Sequence, residues 1–204
     1  MGQRDETVGS AVLGERFDAA LLFASAAHRT QRRKGSGAPY VSHPLAVAAS
    51  VVEYGGDEDQ AIAALLHDVM EDSGVSERQI EERFGARVAR IVAACTDSTE
   101  QPKPPWKARK VAHLARVRTL DADARLVIAA DKLHNAETIL RDLGRASVGE
   151  RVWERFRAQK DEVLWYYRAM VDALGDGWQS ELWAELDRAV RRLGAHARSR
   201  GLWP

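Results

Sequence analysis

The chain has 204 residues, 45% hydrophobic and 29% charged, an ordinary composition for a globular protein and enough to bury a sizeable core in one domain. Lys plus Arg and Asp plus Glu number 30 each, so no global field draws the chain to nucleic acid or an anionic membrane, and any basic site is local. One cysteine, Cys95, excludes an intramolecular disulfide or a cysteine-rich zinc site; no apolar run approaches the about 18 residues that span a bilayer and no signal-peptide pattern opens the chain, so a cytoplasmic location is expected.

In chain order, "MGQRDETVGS" reads as a loose end. "ERFDAALLFASAAHRTQ" then puts Phe17, Ala20, Leu21, Ala24 and Ala27 on one helical stripe. Pro44 sits where a first helical turn tolerates it, and "PLAVAASVVEYGG" stops on Gly55 and Gly56. "DEDQAIAALLHDVMEDSG" reads as one helix with acids at its start and Gly74 at its end. "VSERQIEERFG" offers Ser76 as N-cap with Gln79 at the capping-box spacing, and "ARVARIVAACTD" is a short apolar helix whose Cys95 reads as a buried, inert thiol. Three prolines in four positions make "STEQPKPP" a loop.

Beyond the loop, "WKARKVAHLARVRTL" and "DADARLVIAADKLHNAETILRDL" are helices. "SVGERVWERFRAQKDEVLWYYRAMVDALGDG" reads as one long helix with Trp153, Phe156, Trp165, Tyr166 and Tyr167 mostly on a core-facing side. "WQSELWAELDRAVRRLG" is the last, followed by a tail that frays or docks through Trp203. With no persistent period-two pattern, the expected fold is all-α, a single bundle of about eight or nine helices. Residues 1–15 are expected to be flexible, 16–175 to form the domain, and 176–204 to pack on it as a C-terminal helix and tail.

The chemistry concentrates in "ALLHDVMED", where a fully apolar turn runs into His67, Asp68, Glu71 and Asp72. Taken alone, the phrase fits a solvated acidic helix end as well as it fits a metal site, although carboxylates clustered in a buried place need a cation. Two other stretches tip the balance. "PYVSHP" puts His43 just ahead of a helix, and "LVIAADKLHN" delivers Asp131 after five apolar residues, with Asn135 one turn on. One shared ion explains all three. His43, His67, Asp68 and Asp131 make a nitrogen and oxygen set that suits Mn²⁺, Fe²⁺ or Zn²⁺.

These residues resemble the HD phosphohydrolase superfamily, which has His, His-Asp and Asp on separate helices. "HRTQRRKGSGAPYVSHPLAVA", "AALLHDVMEDSG", "FGARVARIVAACTD" and "IAADKLHNAETI" resemble, in that order, the hydrolase domain of RelA/SpoT-type enzymes in its stand-alone form, the small alarmone hydrolases. The resemblance spans roughly residues 17–174. It implies one divalent ion, usually manganese, on His43, His67, Asp68 and Asp131, with Glu71 and Asp72 serving the attacking water. It further implies substrate contacts from Arg32, Arg33 and Lys34, from Asn135 and, on a more loosely matching stretch, from Lys160 and Tyr167. Met70 and His134 depart from the residues usual in their motifs. The implied reaction removes the 3′-pyrophosphate of guanosine tetra- or pentaphosphate, giving GDP or GTP. With no room for a synthetase domain, the chain is expected only to degrade.

The physics agrees with that chemistry. A divalent ion strengthens a water nucleophile and takes up phosphoryl charge. The four cations of "RTQRRK" ahead of a Gly-Ser-Gly turn suit a polyphosphate. Lys103, Lys107, Arg109 and Lys110 could reach a distal phosphate, although a solvated face explains them too. Two alternatives stay open: an HD phosphohydrolase acting on adenosine alarmones or on NADPH, and a non-catalytic domain that binds a nucleotide or a protein. The partner expected is a small-molecule nucleotide, with no nucleic acid or membrane, and the chain is expected to be a monomer or homodimer.

Overall fold

The computed structural model describes residues 12–98, 100 and 102–199. The expected loose end falls largely outside them, and Trp203 wholly so. Among the described residues ten α-helices follow one another: α1 (Glu15–Ala27), α2 (Ser42–Glu53), α3 (Glu58–Leu66), α4 (Val69–Ser73), α5 (Glu77–Phe84), α6 (Ala86–Cys95), α7 (Trp106–Val117), α8 (Ala122–Leu143), α9 (Lys160–Leu174) and α10 (Glu181–Ser199). A 3-10 helix, Gly149–Arg155, precedes α9, and the only extended pairing among the described residues is one bridge between Arg32 and Pro39. The all-α expectation holds, with slightly more helices than the eight or nine expected.

Two differences in segmentation account for the excess. The helix expected over residues 57–74 is interrupted at His67 and Asp68, where the His67 side chain bonds back to the Ala64 carbonyl at 2.8 Å and competes with the helical ladder. The long helix expected over 147–177 divides at Phe156, which turns extended; α9 then restarts behind a capping box between Gln159 and Glu162. Tyr166 and Tyr167 on α9 are buried as expected, whereas Phe156 is exposed. The capping box of Ser76 and Gln79 forms as read, and Asp57 with Gln60 makes another ahead of α3.

Two helices sit at the centre. Residues 60–66 of α3 and 124–130 of α8 are buried on every side, the mark of a helix enclosed by others. The long α8 packs on α2, α3, α6, α9 and α10, and α3 packs on α1, α2 and α6. Gly56 lets α3 follow α2 closely, since a Cβ there would stand 2.5 Å from Val51 Cγ1 and 2.8 Å from its carbonyl. No described helix is long and apolar enough to cross a membrane.

One buried cation ties three segment ends together. Arg125, only 6% exposed, donates from Nε to the Leu120 carbonyl (2.9 Å), from Nη1 to those of Leu174 (2.8 Å) and Asp176 (2.5 Å), and from Nη2 to that of Arg118 (2.7 Å). These carbonyls lie at or just past the ends of α7 and α9, where helices lack intrahelical donors. Replacing Arg125 with Met leaves them unsatisfied and should cost about 3 kcal/mol or more, read as a lower urea midpoint with an unchanged slope. A loss under about 0.5 kcal/mol would show that water satisfies them equally well.

Candidate metal centre

His43, the adjacent pair His67 and Asp68, and Asp131 come from three different places in the chain. His43 is the second residue of α2; His67 and Asp68 occupy the break between α3 and α4; Asp131 stands mid-helix on α8, directly after its buried run. Ligand atoms of His43, His67 and Asp68 all lie within 4.8 Å of one another, and Asp131 stands beside the two imidazoles. His43 Nε2 lies 3.2 Å from His67 Nε2, 3.6 Å from Asp68 Oδ2 and 3.1 Å from Asp131 Oδ1. His67 Nε2 lies 3.0 Å from Asp68 Oδ2 and 3.8 Å from Asp131 Oδ1. Atoms that each bind one ion at about 2 Å stand roughly 3–4 Å apart, and these separations fall in that range.

Both imidazoles are held with their Nε2 lone pairs turned inward. His67 Nδ1 donates to the Ala64 carbonyl, which fixes the proton there. His43 Nδ1 meets His134 Nδ1 at 2.7 Å, so with its proton on Nδ1, His43 donates to His134 and keeps Nε2 as an electron-pair donor. His134 suits the acceptor role: burial, with the charges of His43 and Arg33, lowers its pKa to about 4. Tyr40 donates its hydroxyl to Asp68 Oδ2 at 2.6 Å. Asn135 and Lys132 donate to the two Asp131 oxygens at 2.5 and 2.6 Å. Outer partners of this kind fix ligand orientation in metal sites.

The electrostatics ask for a cation at the convergence. Burial opposes charge on His67, yet Asp68 and Asp131 raise its pKa to about 9. Burial likewise opposes ionisation of Asp131, but Lys132 and the imidazoles hold its carboxyl well below the usual range. Burial and His67 push His43 the other way, towards the neutral form. With a divalent ion in place of the His67 Nε2 proton, two neutral nitrogens face two carboxylate oxygens, and nothing in the set is soft enough to demand zinc.

The remaining expected residues divide into near and far. Glu71 Oε1 is 2.6 Å from Lys103 Nζ of the proline loop, and Asp72 Oδ2 accepts from Gln31 Nε2 at 2.8 Å. Arg33 Nη2 reaches Asn135 Oδ1 at 3.3 Å and lies over the Tyr40 ring, which brings the basic loop to the edge of the cluster. Tyr167 is buried on α9, close enough for the charges of Lys132, Asp131 and Arg33 to act on its phenol. Arg32 and Lys34 are exposed in the loop. Lys160 is engaged elsewhere, 2.9 Å from Glu150 and over the Trp153 ring.

Several residues escaped the sequence reading. Tyr40 and His134 are the outer partners of Asp68 and His43. His28, 2% exposed, contacts Gln31 Oε1 at 2.7 Å through Nδ1, which orients the amide that reaches Asp72. Arg109 and Lys110, which a solvated face could explain, both end at 2.5 Å on the buried carboxylate of Asp97. Only the spacing of "HRTQ", which puts His28 and Gln31 one turn apart, hinted at any of these pairs.

The chain is also similar to known proteins. The HD-domain family profile matches residues 20–164. The Danio rerio protein named guanosine-3′,5′-bis(diphosphate) 3′-pyrophosphohydrolase MESH1 is 39% identical over 141 residues, covering 68% of this chain and 73% of the relative. Its Homo sapiens counterpart is 38% identical over 141 residues, covering 68% and 74%. A guanosine-3′,5′-bis(diphosphate) 3′-pyrophosphohydrolase of Aquifex aeolicus is 34% identical over 142 residues, 69% of this chain but only 20% of that much longer protein. Among solved structures, a metazoan ortholog of SpoT described as hydrolysing ppGpp superposes with a TM-score of 0.74 at 28% identity, over 94% of this chain and 99% of that one. The chain belongs to the HD-domain family, in the group that holds the MESH1 proteins.

Proposed function

We propose that the protein is a metal-dependent guanosine-3′,5′-bis(diphosphate) 3′-pyrophosphohydrolase, with His43, His67, Asp68 and Asp131 as ligands of one divalent ion, manganese being the first candidate. The observation that carries the reading is the convergence of two inward-facing Nε2 atoms and two carboxylates, with Glu71 and Asp72 one turn beyond. The activity itself is taken from the names of the related proteins.

A divalent ion there supplies a Lewis acid for the phosphoryl oxygens and a stronger water nucleophile. The chain's own residues do the rest. Glu71 and Asp72 stand past the ligand pair, where they orient a water and accept its proton. Gln31, held by His28, keeps the Asp72 carboxylate turned to one side. The water oxygen bonds to the phosphorus attached to O3′, the bond from that phosphorus to O3′ breaks, and O3′ takes a proton, releasing intact pyrophosphate. Arg33, placed by Asn135 and Tyr40, holds the nucleotide from the loop side, with Arg32 and Lys34 adding positive charge around it.

Manganese-loaded protein incubated with guanosine tetraphosphate should yield GDP and pyrophosphate, resolved by anion exchange. Pyrophosphate and ADP from the adenosine analogue alone would move the specificity to adenine, and orthophosphate from NADPH with both alarmones untouched would overturn the assignment. Glu71→Gln and Asp72→Asn should each lower kcat by about 10²-fold while the protein keeps its metal; loss of the metal would make them ligands instead.

The ligand set has a test that needs no turnover. Asp131→Ala should abolish manganese binding, measured by elemental analysis after gel filtration, with the helical circular dichroism retained. Tyr40→Phe should weaken binding by about tenfold through the lost hydrogen bond to Asp68. Full manganese occupancy in Asp131→Ala would remove that residue from the set.

A further inference from the structure

Beside the metal cluster lies a second group of charges that the mechanism does not use. On α7, Arg109 Nη1 and Lys110 Nζ each sit 2.5 Å from an Asp97 oxygen, so one buried carboxylate answers two cations. Arg116 adds a third, donating to the Thr96 carbonyl at 2.8 Å and lying 3.4 Å from that of Asp97. On α8, Lys132 Nζ sits on the outer oxygen of Asp131. Between the two helices stands Tyr166 of α9, 6% exposed, with Lys110 Nζ 4.8 Å and Lys132 Nζ 5.9 Å from its ring centroid.

Three features of this group point to an anion. Positive charge outweighs carboxylate: Arg109, Lys110, Arg116 and Lys132 stand around the two carboxylates of Asp97 and Asp131. Each ammonium carries three donors and spends only one on a carboxylate. The Tyr166 hydroxyl and Arg109 Nε are buried donors without a hydrogen-bond partner among the described residues, a state folded proteins seldom keep unless a ligand completes it. The group also adjoins the chemistry, because Lys132, whose Nζ lies 2.6 Å from Asp131 Oδ2, stands 5.9 Å from the Tyr166 ring centroid.

We propose that Lys110, Lys132 and the Tyr166 hydroxyl form a subsite for the distal phosphate of a pyrophosphoryl group whose proximal phosphorus lies at the metal cluster. The proposal rests on the pyrophosphohydrolase reading and adds what sets the register of the cut. With the distal phosphate held here, water meets the phosphorus bonded to O3′ and pyrophosphate leaves whole. With the distal phosphorus at the cluster, water would release orthophosphate and leave a 3′-monophosphate. The subsite therefore selects a 3′-diphosphate over a 3′-monophosphate.

Calorimetry with inorganic pyrophosphate and with orthophosphate, on manganese-loaded protein, tests the subsite without turnover. The unmodified protein should bind pyrophosphate at least about tenfold more tightly than orthophosphate. Lys110→Gln and Tyr166→Phe should each erase most of that ratio while changing orthophosphate affinity by less than about twofold; Lys110→Arg, which keeps the charge, should retain it. Circular dichroism and the thermal midpoint establish that each variant is folded, and Tyr166→Phe, which removes one oxygen, covers the case in which Lys110→Gln is not. In turnover, the folded variants should lose kcat/KM on guanosine tetraphosphate but not on guanosine 5′-diphosphate 3′-monophosphate. Equal losses for both anions, or an unchanged ratio, would overturn the subsite. A ratio that behaves as expected in a protein inert towards guanosine tetraphosphate would instead keep the subsite and refute the pyrophosphohydrolase reading.

Discussion

The contact between α3 and α8 is the constraint on which the site depends. Both helices are enclosed by their neighbours along a full run of apolar residues, and each run ends on a polar intrusion: His67 and Asp68 after α3, Asp131 within α8. Fixing such helices against each other fixes those intrusions too, because an enclosed helix has no freedom to rotate a charged residue out to water. Burying Asp131 and two imidazoles beside the half-buried Asp68 is costly unless positive charge lies among them. Folding stability thus opposes the uncompensated cluster, and an ion that binds the folded chain offsets the cost.

A second layer of order comes from the loop between α1 and α2. It is pinned to itself by the Arg32 to Pro39 bridge and by Arg33 N–H donating to the Ala38 carbonyl at 2.8 Å. From this short span Gln31 reaches Asp72, Arg33 reaches Asn135 and Tyr40 reaches Asp68. One loop therefore touches a proposed water-handling carboxylate, the residue that bonds Asp131, and a proposed ligand. Gly35 anchors its outer turn at a φ of 88°, with the Arg155 guanidinium packed where a side chain would stand. That guanidinium is itself tied to the buried Asp142 of α8. The loop is thereby referred back to the same central helix that carries Asp131.

What could be read from the sequence followed its local periods. Helical spacing placed Asn135 against Asp131, capping chemistry placed Ser76 against Gln79, and an aspartate after five apolar residues announced a buried charge. The breaks at His67 and Phe156 were not legible, because each depends on a side-chain bond or an extended residue inside a stretch with unbroken helical period. Partners distant in sequence were equally silent. His43 and His134 are 91 residues apart, and Arg33 and Asn135 are 102 apart, so only the folded chain shows which groups share a proton or a hydrogen bond. The charges of α7 illustrate the same limit, since a solvated run and a buried cluster on Asp97 have the same sequence.

The central claim is that one divalent ion sits where the ends of the enclosed helices meet. Anomalous diffraction from crystals of the manganese-loaded protein tests it most directly. The account predicts a single manganese peak bounded by His43 Nε2, His67 Nε2, Asp68 and Asp131, each at about 2 Å. A peak held by Glu71 and Asp72 instead, or no peak among the four side chains at full loading, would contradict it.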